Sequence, residues 1–402
     1  MLEGKRVLLC VKGSIAAYKA ADLVSKLAQA GAMVDVVITK GGLEFVTALT
    51  FRSLTHRPVV TELFDAGSGL SVEHIALAEQ ADVVVVAPAT ANVIAKMAAG
   101  LADDLLTCIL LATRAPVVLA PAMDGYMYQN PATQENLSKL KSRGFIIVGP
   151  NEGRLASGQT GVGRLAETTE ITGAVKQALG RGEDLSDAVA VVTAGGTREA
   201  IDPVRHITNR SSGKMGYALA EAARDRGARV TLISCSTDLP TPYGVDYVPV
   251  ETAEEMKEAV LKAVENADAL FMAAAVADYR PASPASSKIK KGSSKLSIDL
   301  QPTTDILGEL KDRDIVKVGF AAESDDLLAN AGRKLKEKGL DLIVANDITD
   351  QDSGFGSDTN RVALIGRNGK AEELPLLLKI EVAHKVLDRV AALISQRRSR
   401  KS

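Results

Sequence analysis

The 402-residue chain has little cysteine, little net charge and no long apolar run. Its three cysteines, Cys10, Cys108 and Cys235, lie far apart with no C-x-x-C spacing, which argues against zinc sites and disulfides and for a reducing compartment, the cytoplasm. Lys and Arg number 48 against 50 Asp and Glu, a net charge of -2, so nothing in the balance points to nucleic acid. The opening run MLEGKRVLLCVKG breaks at charge and glycine, too short for a signal segment or a membrane span. Two nucleotide fingerprints are missing as well. Neither glycine turn that follows a strand carries G-x-G-x-x-G, which disfavours a tandem dinucleotide dehydrogenase. NRSSGKMG, residues 209–216, fails as a P-loop because Met215 follows the lysine where a hydroxyl for Mg2+ is needed.

With 46% hydrophobic residues, what is present is a globular chain of two or three domains. Apolar runs such as RVLLCV, MVDVVIT, DVVVVAP and PVVLAP, then AVAVVTAGG, RVTLIS, ALFMAAA and LDLIVAN, alternate with helical patterns. Runs apolar on both faces suit parallel strands covered by helices, so the class is α/β. In ETAEEMKEAVLKAVENAD, Thr252 and Glu255 are spaced as a capping box ahead of a covering helix. A strand followed by a glycine turn opens each half, at Val7 and at Ala190, so the chain reads as two doubly wound, Rossmann-like domains, 1–189 and 190–402. The stretch from Thr168 to Asp187 has the composition of a connection. Residues 279–295, rich in Pro, Ser and Lys, read as a mobile functional loop.

Polar residues gather at the carboxyl ends of these strands, where open α/β sheets bind ligands. In the first half they are Gly13 and Ser14, then Thr39, then Thr90 and Asn92, a set that favours a mononucleotide. The loop after the next strand holds Met123 and Asp124, a composition more often met in core packing. Farther on, four glycines within eleven residues, from Gly153 to Gly163, form a loop able to fold over a ligand. In the second half, Ser211, Ser212 and Gly213 precede a helix, a positive end suited to phosphate without a wrapped P-loop. Lys334 and Lys338, four apart, share one helix face.

HIALAEQADVVVVAPATANVIAKMAAGLADDLL, PAM, NPATQ, the glycine loop, VTAGGTREAIDPVRHITNRSSGKMG, AAAVADYRP, KIKK, GFAAE and VANDI…FGSDTN follow one another over nearly the whole chain. Together they resemble the bifunctional phosphopantothenoylcysteine decarboxylase and phosphopantothenate-cysteine ligase of coenzyme A biosynthesis. The resemblance implies a flavodoxin-like, FMN-dependent decarboxylase domain, with its flavin site shared between subunits of a trimer. Gly13, Ser14, Thr39, Thr90, Asn92 and Met123 are the implied cofactor contacts, and His74, one of four histidines, is an implied catalytic residue. The flavin would oxidise the cysteine thiol side to a thioaldehyde, giving CO2 loss an electron sink and leaving an enethiolate to be reduced and protonated.

For the second domain it implies activation of 4'-phosphopantothenate by CTP to an acyl-cytidylate, then attack by the cysteine amine. Asn209 would hold the acyl-cytidylate carbonyl, Arg205 would act in the second step, and Lys288 would neutralise phosphate charge. Ser211, Ser212, Gly213, Met272, Ala273, Ala274, Asp278, Thr304, Asp305, Ile306, Leu307, Phe320, Lys334 and Lys338 match nucleotide-contacting positions, with Asp278 a contact for Mg2+. Trimers of the first domain and dimers of the second would combine into a dodecamer.

Two departures stand out. Asp124 occupies a position that is usually asparagine and contacts the substrate carboxylate. Ser157 replaces the cysteine that protonates the enethiolate, and an alkyl hydroxyl is a far weaker acid than a thiol. Either Ser157 relays a proton from water, or another group such as Asp124 is the acid, or the reductive half-reaction is slow. The alternative reading is an active ligase carrying a flavin-binding first domain impaired in catalysis or used in interaction.

Overall fold

The structure, a computed structural model, describes residues 2–62, 73–235, 237–291, 296–323, 327–347 and 356–401. The tail of the Pro/Ser/Lys-rich loop (292–295) and most of the stretch between VAND and GSDTN (348–355) lie outside the described residues. The chain divides into two units, Met1–Arg181 and Gly182–Ser402.

The first unit is built on a six-stranded parallel sheet: β1 (Arg6–Val11), β2 (Met33–Ile38), β3 (Val59–Val60), β4 (Val83–Ala89), β5 (Val117–Pro121) and β6 (Ile146–Ile147), in the order β3-β2-β1-β4-β5-β6. All seven residues of β4 are buried. That explains the unbroken apolar run in the sequence, because both faces are covered. Leu8, Cys10, Val84, Val86 and Leu119 share one cluster with Val93 and Ile94, Leu106 and Ile109, and Leu137 and Leu140 from three covering helices. Helix Ala17–Gln29 packs against helix Thr168–Leu179. The latter lies in the stretch that reads as a connection. Glu167 and Glu170 form its capping box, and Ile171, Ala174, Val175 and Ala178 are its buried stripe.

The second unit repeats the plan. Strands β7 (Val189–Ala194), β8 (Arg229–Ser234), β9 (Asp246–Pro249), β10 (Ala269–Met272), β11 (Val316–Glu323), β12 (Leu342–Asp347), β13 (Val362–Gly366) and β14 (Ala371–Glu373) lie in the order β9-β8-β7-β10-β11-β12-β13-β14. Pairing is parallel as far as β12; β13 and β14 extend the sheet antiparallel. The doubly wound expectation therefore holds in both units. The capping box at Thr252 and Glu255 forms at the head of helix Ala253–Ala263. Two short hairpins, Arg198–Ala200 with His206–Thr208 and Tyr279–Pro281 with Leu300–Pro302, stand outside the main sheet.

Helix Lys214–Asp225 lies tight against β7 because Gly216 faces it. A Cβ on Gly216 would come within 2.6 Å of Ala194 Cβ and 2.7 Å of the Thr193 carbonyl oxygen. Since cores resist added methylenes at about 1–3 kcal/mol, Gly216→Ala is expected to lower stability by that amount. Urea unfolding of wild type and variant checks it, and equal midpoints would refute the close packing.

Candidate functional site

Each unit carries a cleft at the carboxyl ends of its parallel strands. In the first, a cleft of about 850 Å3 is lined by the turn after β1 (Lys12, Gly13, Ser14), by Thr39–Gly41 after β2, by Thr90–Asn92 after β4, by Asp103 and Asp104, and by Ala122 and Met123 after β5. All six expected cofactor contacts of this unit, Gly13, Ser14, Thr39, Thr90, Asn92 and Met123, therefore meet in one place. Thr39 caps helix Lys40–Leu43 by accepting from Gly42 N at 3.3 Å, and Thr90 caps helix Ala91–Ala99 by accepting from Val93 N at 3.4 Å. The cleft thus faces two helix starts.

Lys12 and Asp104 were not anticipated. Lys12 is only 6% exposed, and its Nζ lies 2.5 Å from Asp104 Oδ2. Asp104 also caps helix Leu105–Ala112, accepting from Thr107 N (2.8 Å) and Thr107 Oγ1 (2.7 Å) at Oδ1. Burial pushes the Asp104 carboxyl up, yet the Lys12 bond, the Thr107 donors and the Lys12 charge together hold it below its ordinary value. The signal available in the sequence was a lysine directly ahead of the glycine turn.

Asp124 and Ser157 lie outside the cleft lining but meet each other. The glycine loop is an antiparallel hairpin, Asn151–Arg154 with Thr160–Arg164, and Ser157 in its turn donates to Asp124 Oδ2 at 3.1 Å. Met123 N donates to the Gly163 carbonyl oxygen at 3.0 Å, docking the hairpin on the loop after β5. Only glycine fits at 163: its φ is +152°, and a Cβ would stand 2.2 Å from the Met123 carbonyl oxygen. Asp124 caps the short helix Gly125–Gln129, accepting from Tyr126 N at 3.0 Å. Met127 and Tyr126 are exposed rather than core. His74 lies half-buried in the first turn of helix Glu73–Gln80, away from the lining of this cleft.

In the second unit a cleft of about 550 Å3 is lined by residues 209–216, Met272–Asp278, Thr303–Leu307, Phe320, Lys334 and Lys338. It gathers Asn209, Ser211, Ser212, Gly213, Met272, Ala273, Ala274, Asp278, Thr304, Asp305, Ile306, Leu307, Phe320, Lys334 and Lys338. Asn209 Nδ2 donates to the carbonyl oxygens of Val276 (3.1 Å) and Ala275 (3.4 Å). Thr193 Oγ1 accepts from Ala274 N (3.1 Å) and Thr197 Oγ1 from Ala277 N (2.9 Å), strapping the segment after β10. Helix Lys214–Asp225 begins at Gly213, where Gly213 N donates to Ser211 Oγ at 3.4 Å and Lys214 N to Ser212 Oγ at 3.5 Å. Lys214 itself turns to Asp358 (2.7 Å) and to the Gly356 carbonyl oxygen (2.8 Å).

Lys338 bonds Asp305, whose carboxyl is pushed up by burial but held lower by Lys338, the Gly308 N–H and the charge of Lys334. Lys379, Asn346 and Asn360, also in the lining, were missed. Burial, then the charge of Lys214, lowers the Lys379 ammonium, with Asp358 opposing. Arg205 and Lys288 do not line this cleft. Arg205 bonds the Ile289 carbonyl oxygen, and Asp202 accepts from both Arg205 N (2.9 Å) and Ile289 N (3.1 Å), so Arg205 is tied to the segment that bears Lys288. Lys288 is exposed.

Among the described residues no group of three His, Cys, Asp or Glu side chains could hold a metal, and no helix is long and apolar enough to cross a membrane. Two family models match successive parts of the chain. Residues 1–180 match the flavoprotein family, and residues 185–394 match the DNA/pantothenate metabolism flavoprotein C-terminal domain. The chain is 46% identical over 401 residues to the coenzyme A biosynthesis bifunctional protein CoaBC of Bacillus subtilis, covering 98% of this chain and 99% of that protein. It is 42% identical over 405 residues to the protein of that name from Escherichia coli K12, covering 99% of this chain and all of the relative. A solved C-terminal domain of a CoaBC protein is 40% identical over 54% of this chain and 100% of its own, with a TM-score of 0.46.

Asp104 provides a test of the first cleft's electrostatics. Its folded carboxyl titrates below the ordinary 3.8, so its contribution is present above that pH and is lost as pH falls through the lower folded value. Asp104→Asn keeps a capping residue and is expected to remove this part of the acid-side loss. Melting temperatures taken on either side of pH 3.8 should fall less in the variant than in wild type; parallel curves would refute the pairing.

Proposed function

For a chain that belongs to the bifunctional coenzyme A biosynthesis proteins, with a flavoprotein unit and a ligase unit, we propose a division of labour between the two clefts. The second unit joins cysteine to 4'-phosphopantothenate using CTP, through an acyl-cytidylate, and the first decarboxylates the product to 4'-phosphopantetheine with FMN. The observation that carries this reading is the convergence of residues scattered over each unit on one cleft at the ends of its strands.

The first cleft has the volume of a small-molecule site, about 300–1,000 Å3, and offers the Gly13–Ser14 turn and the Thr39 and Thr90 helix starts to a phosphate-bearing cofactor. Bound there, FMN would supply the two-electron chemistry that makes the cysteine side chain an electron sink. Asn92 and Met123 would hold the ring and substrate in register. The bond from Ser157 to Asp124 fixes the serine hydroxyl in the hairpin turn, and a proton given up at Ser157 Oγ would be replaced from water. His74, outside this lining, fits a cleft shared between copies, in which it serves a neighbour as catalytic residue within a trimer.

In the second cleft, the helix start at Gly213, with the Ser211 and Ser212 hydroxyls, would receive phosphate oxygens. Lys334 and Lys338 would balance nucleotide charge, and Asn209, its amide plane fixed by two carbonyls, would orient the acyl group. Lys288 would come to the phosphates from its exposed position beside Arg205, which would serve the amine-transfer step. With no three-residue metal cluster among the described residues, Mg2+ would be held by Asp278 together with triphosphate oxygens. Dimers of the second unit would combine with the trimers, in the cytoplasm.

Purified protein given phosphopantothenate, cysteine, CTP and Mg2+ is expected to yield 4'-phosphopantetheine by mass spectrometry, with oxidised flavin absorbance regained. Pile-up of phosphopantothenoylcysteine would sink the decarboxylase reading, and no CTP consumption would sink the ligase reading. Asn209→Ala should cut ligation roughly 100- to 1,000-fold, the scale for losing one group that orients developing charge, while a supplied phosphopantothenoylcysteine is still decarboxylated.

A further inference from the structure

Lys12 is a lysine that lines a cleft while being almost wholly buried, and burying an ammonium is costly unless it is paired. Asp104 Oδ2 supplies the pair, across 92 residues of sequence. An ammonium has three donors, and Asp104 takes one. The others belong to a group whose buried end faces whatever fills the cleft.

The surrounding charges decide what that is. Asp103 and Asp104 both line the cleft beside Lys12, and Asp103 is engaged by Lys96 at 2.7 and 2.8 Å. The four charges cancel pairwise, so this wall carries no surplus positive charge for a dianionic phosphate, which would meet two carboxylates at close range. A ring that is neutral when oxidised fits the same wall without that repulsion. When the ring takes up two electrons and one proton it becomes a monoanion, and the Lys12 N–H groups then make charge-assisted bonds to it that are stronger than those to the oxidised ring.

We propose that Lys12, positioned by Asp104, donates to the polar edge of the flavin ring in the first-unit cleft and raises its two-electron reduction potential. The proposal rests on that cleft being the FMN site. It makes Lys12 a cofactor-contacting residue and Asp104 its positioning residue, with the helix start at Leu105 fixing Asp104 in turn.

The test uses full-length protein reconstituted with FMN. Lys12→Met should bind oxidised FMN within about threefold of wild type but reduced FMN roughly tenfold more weakly relative to it, the scale of one charge-assisted hydrogen bond. That ratio is a potential lower by about 30 mV for a two-electron couple, read by equilibration against a reference dye. Because Lys12→Met leaves Asp104 without its partner, the Lys12→Met/Asp104→Asn double variant is measured beside it and should show the same drop. Unchanged potential in both variants overturns the proposal. So does a loss of affinity for FMN with none for riboflavin, which would make Lys12 a phosphate anchor. Absence of any flavin binding by wild type would instead overturn the flavin reading of the cleft, and the proposal with it.

Discussion

Parallel strand pairing is the constraint from which the rest of this molecule follows. A parallel ladder cannot be closed by a tight turn, so each strand is followed by a crossover that covers a face of the sheet. All strand carboxyl ends then lie along one rim. Where the winding reverses, between β1 and β4 in one unit and between β7 and β10 in the other, two crossovers leave in opposite directions and a crevice opens. Both clefts stand at such a point. The topology alone brings Ser14 and Asn92, or Ser212 and Asp278, to a common cleft.

Within that frame the two units handle charge differently. The first keeps its cleft nearly neutral by pairing Lys12 with Asp104 and Lys96 with Asp103. The second brings in several lysines, Lys214, Lys334, Lys338 and Lys379, two of them bonded to Asp358 and Asp305. In the proposed assignment the former faces the flavin ring and the latter the nucleotide phosphates. The pairings in the second cleft also keep its ammonium groups from repelling one another before any anion arrives.

The sequence made the long central strands legible because burial on both faces removes polar residues from them. It left β3 and β6 unseen, since a two-residue edge strand has no period. Helix Thr168–Leu179 was hidden by its threonines, glutamate and glycine, although its buried stripe has helical spacing. That the polar residues at the strand ends would meet in one cleft per unit was readable from motif and position. The Lys12–Asp104 pair, the bond from Arg205 to the Ile289 carbonyl oxygen and the place of Lys379 were not, because each joins segments 84 or more residues apart or depends on the last helix closing over the sheet. The Ser157–Asp124 bond falls between these cases: each residue was singled out by itself, and only the docked hairpin shows that they touch.

The strand order also has a consequence for synthesis. β1 is central in its sheet yet is synthesised before both of the strands it pairs with, β2 on one side and β4 on the other. At about 5–20 residues per second, several seconds separate the appearance of residue 38 from that of residue 83. For that interval RVLLCV presents a bare apolar edge, the kind of surface that recruits other chains. The nascent chain is therefore vulnerable in the interval between β2 and β4, when one edge of β1 still waits for its partner.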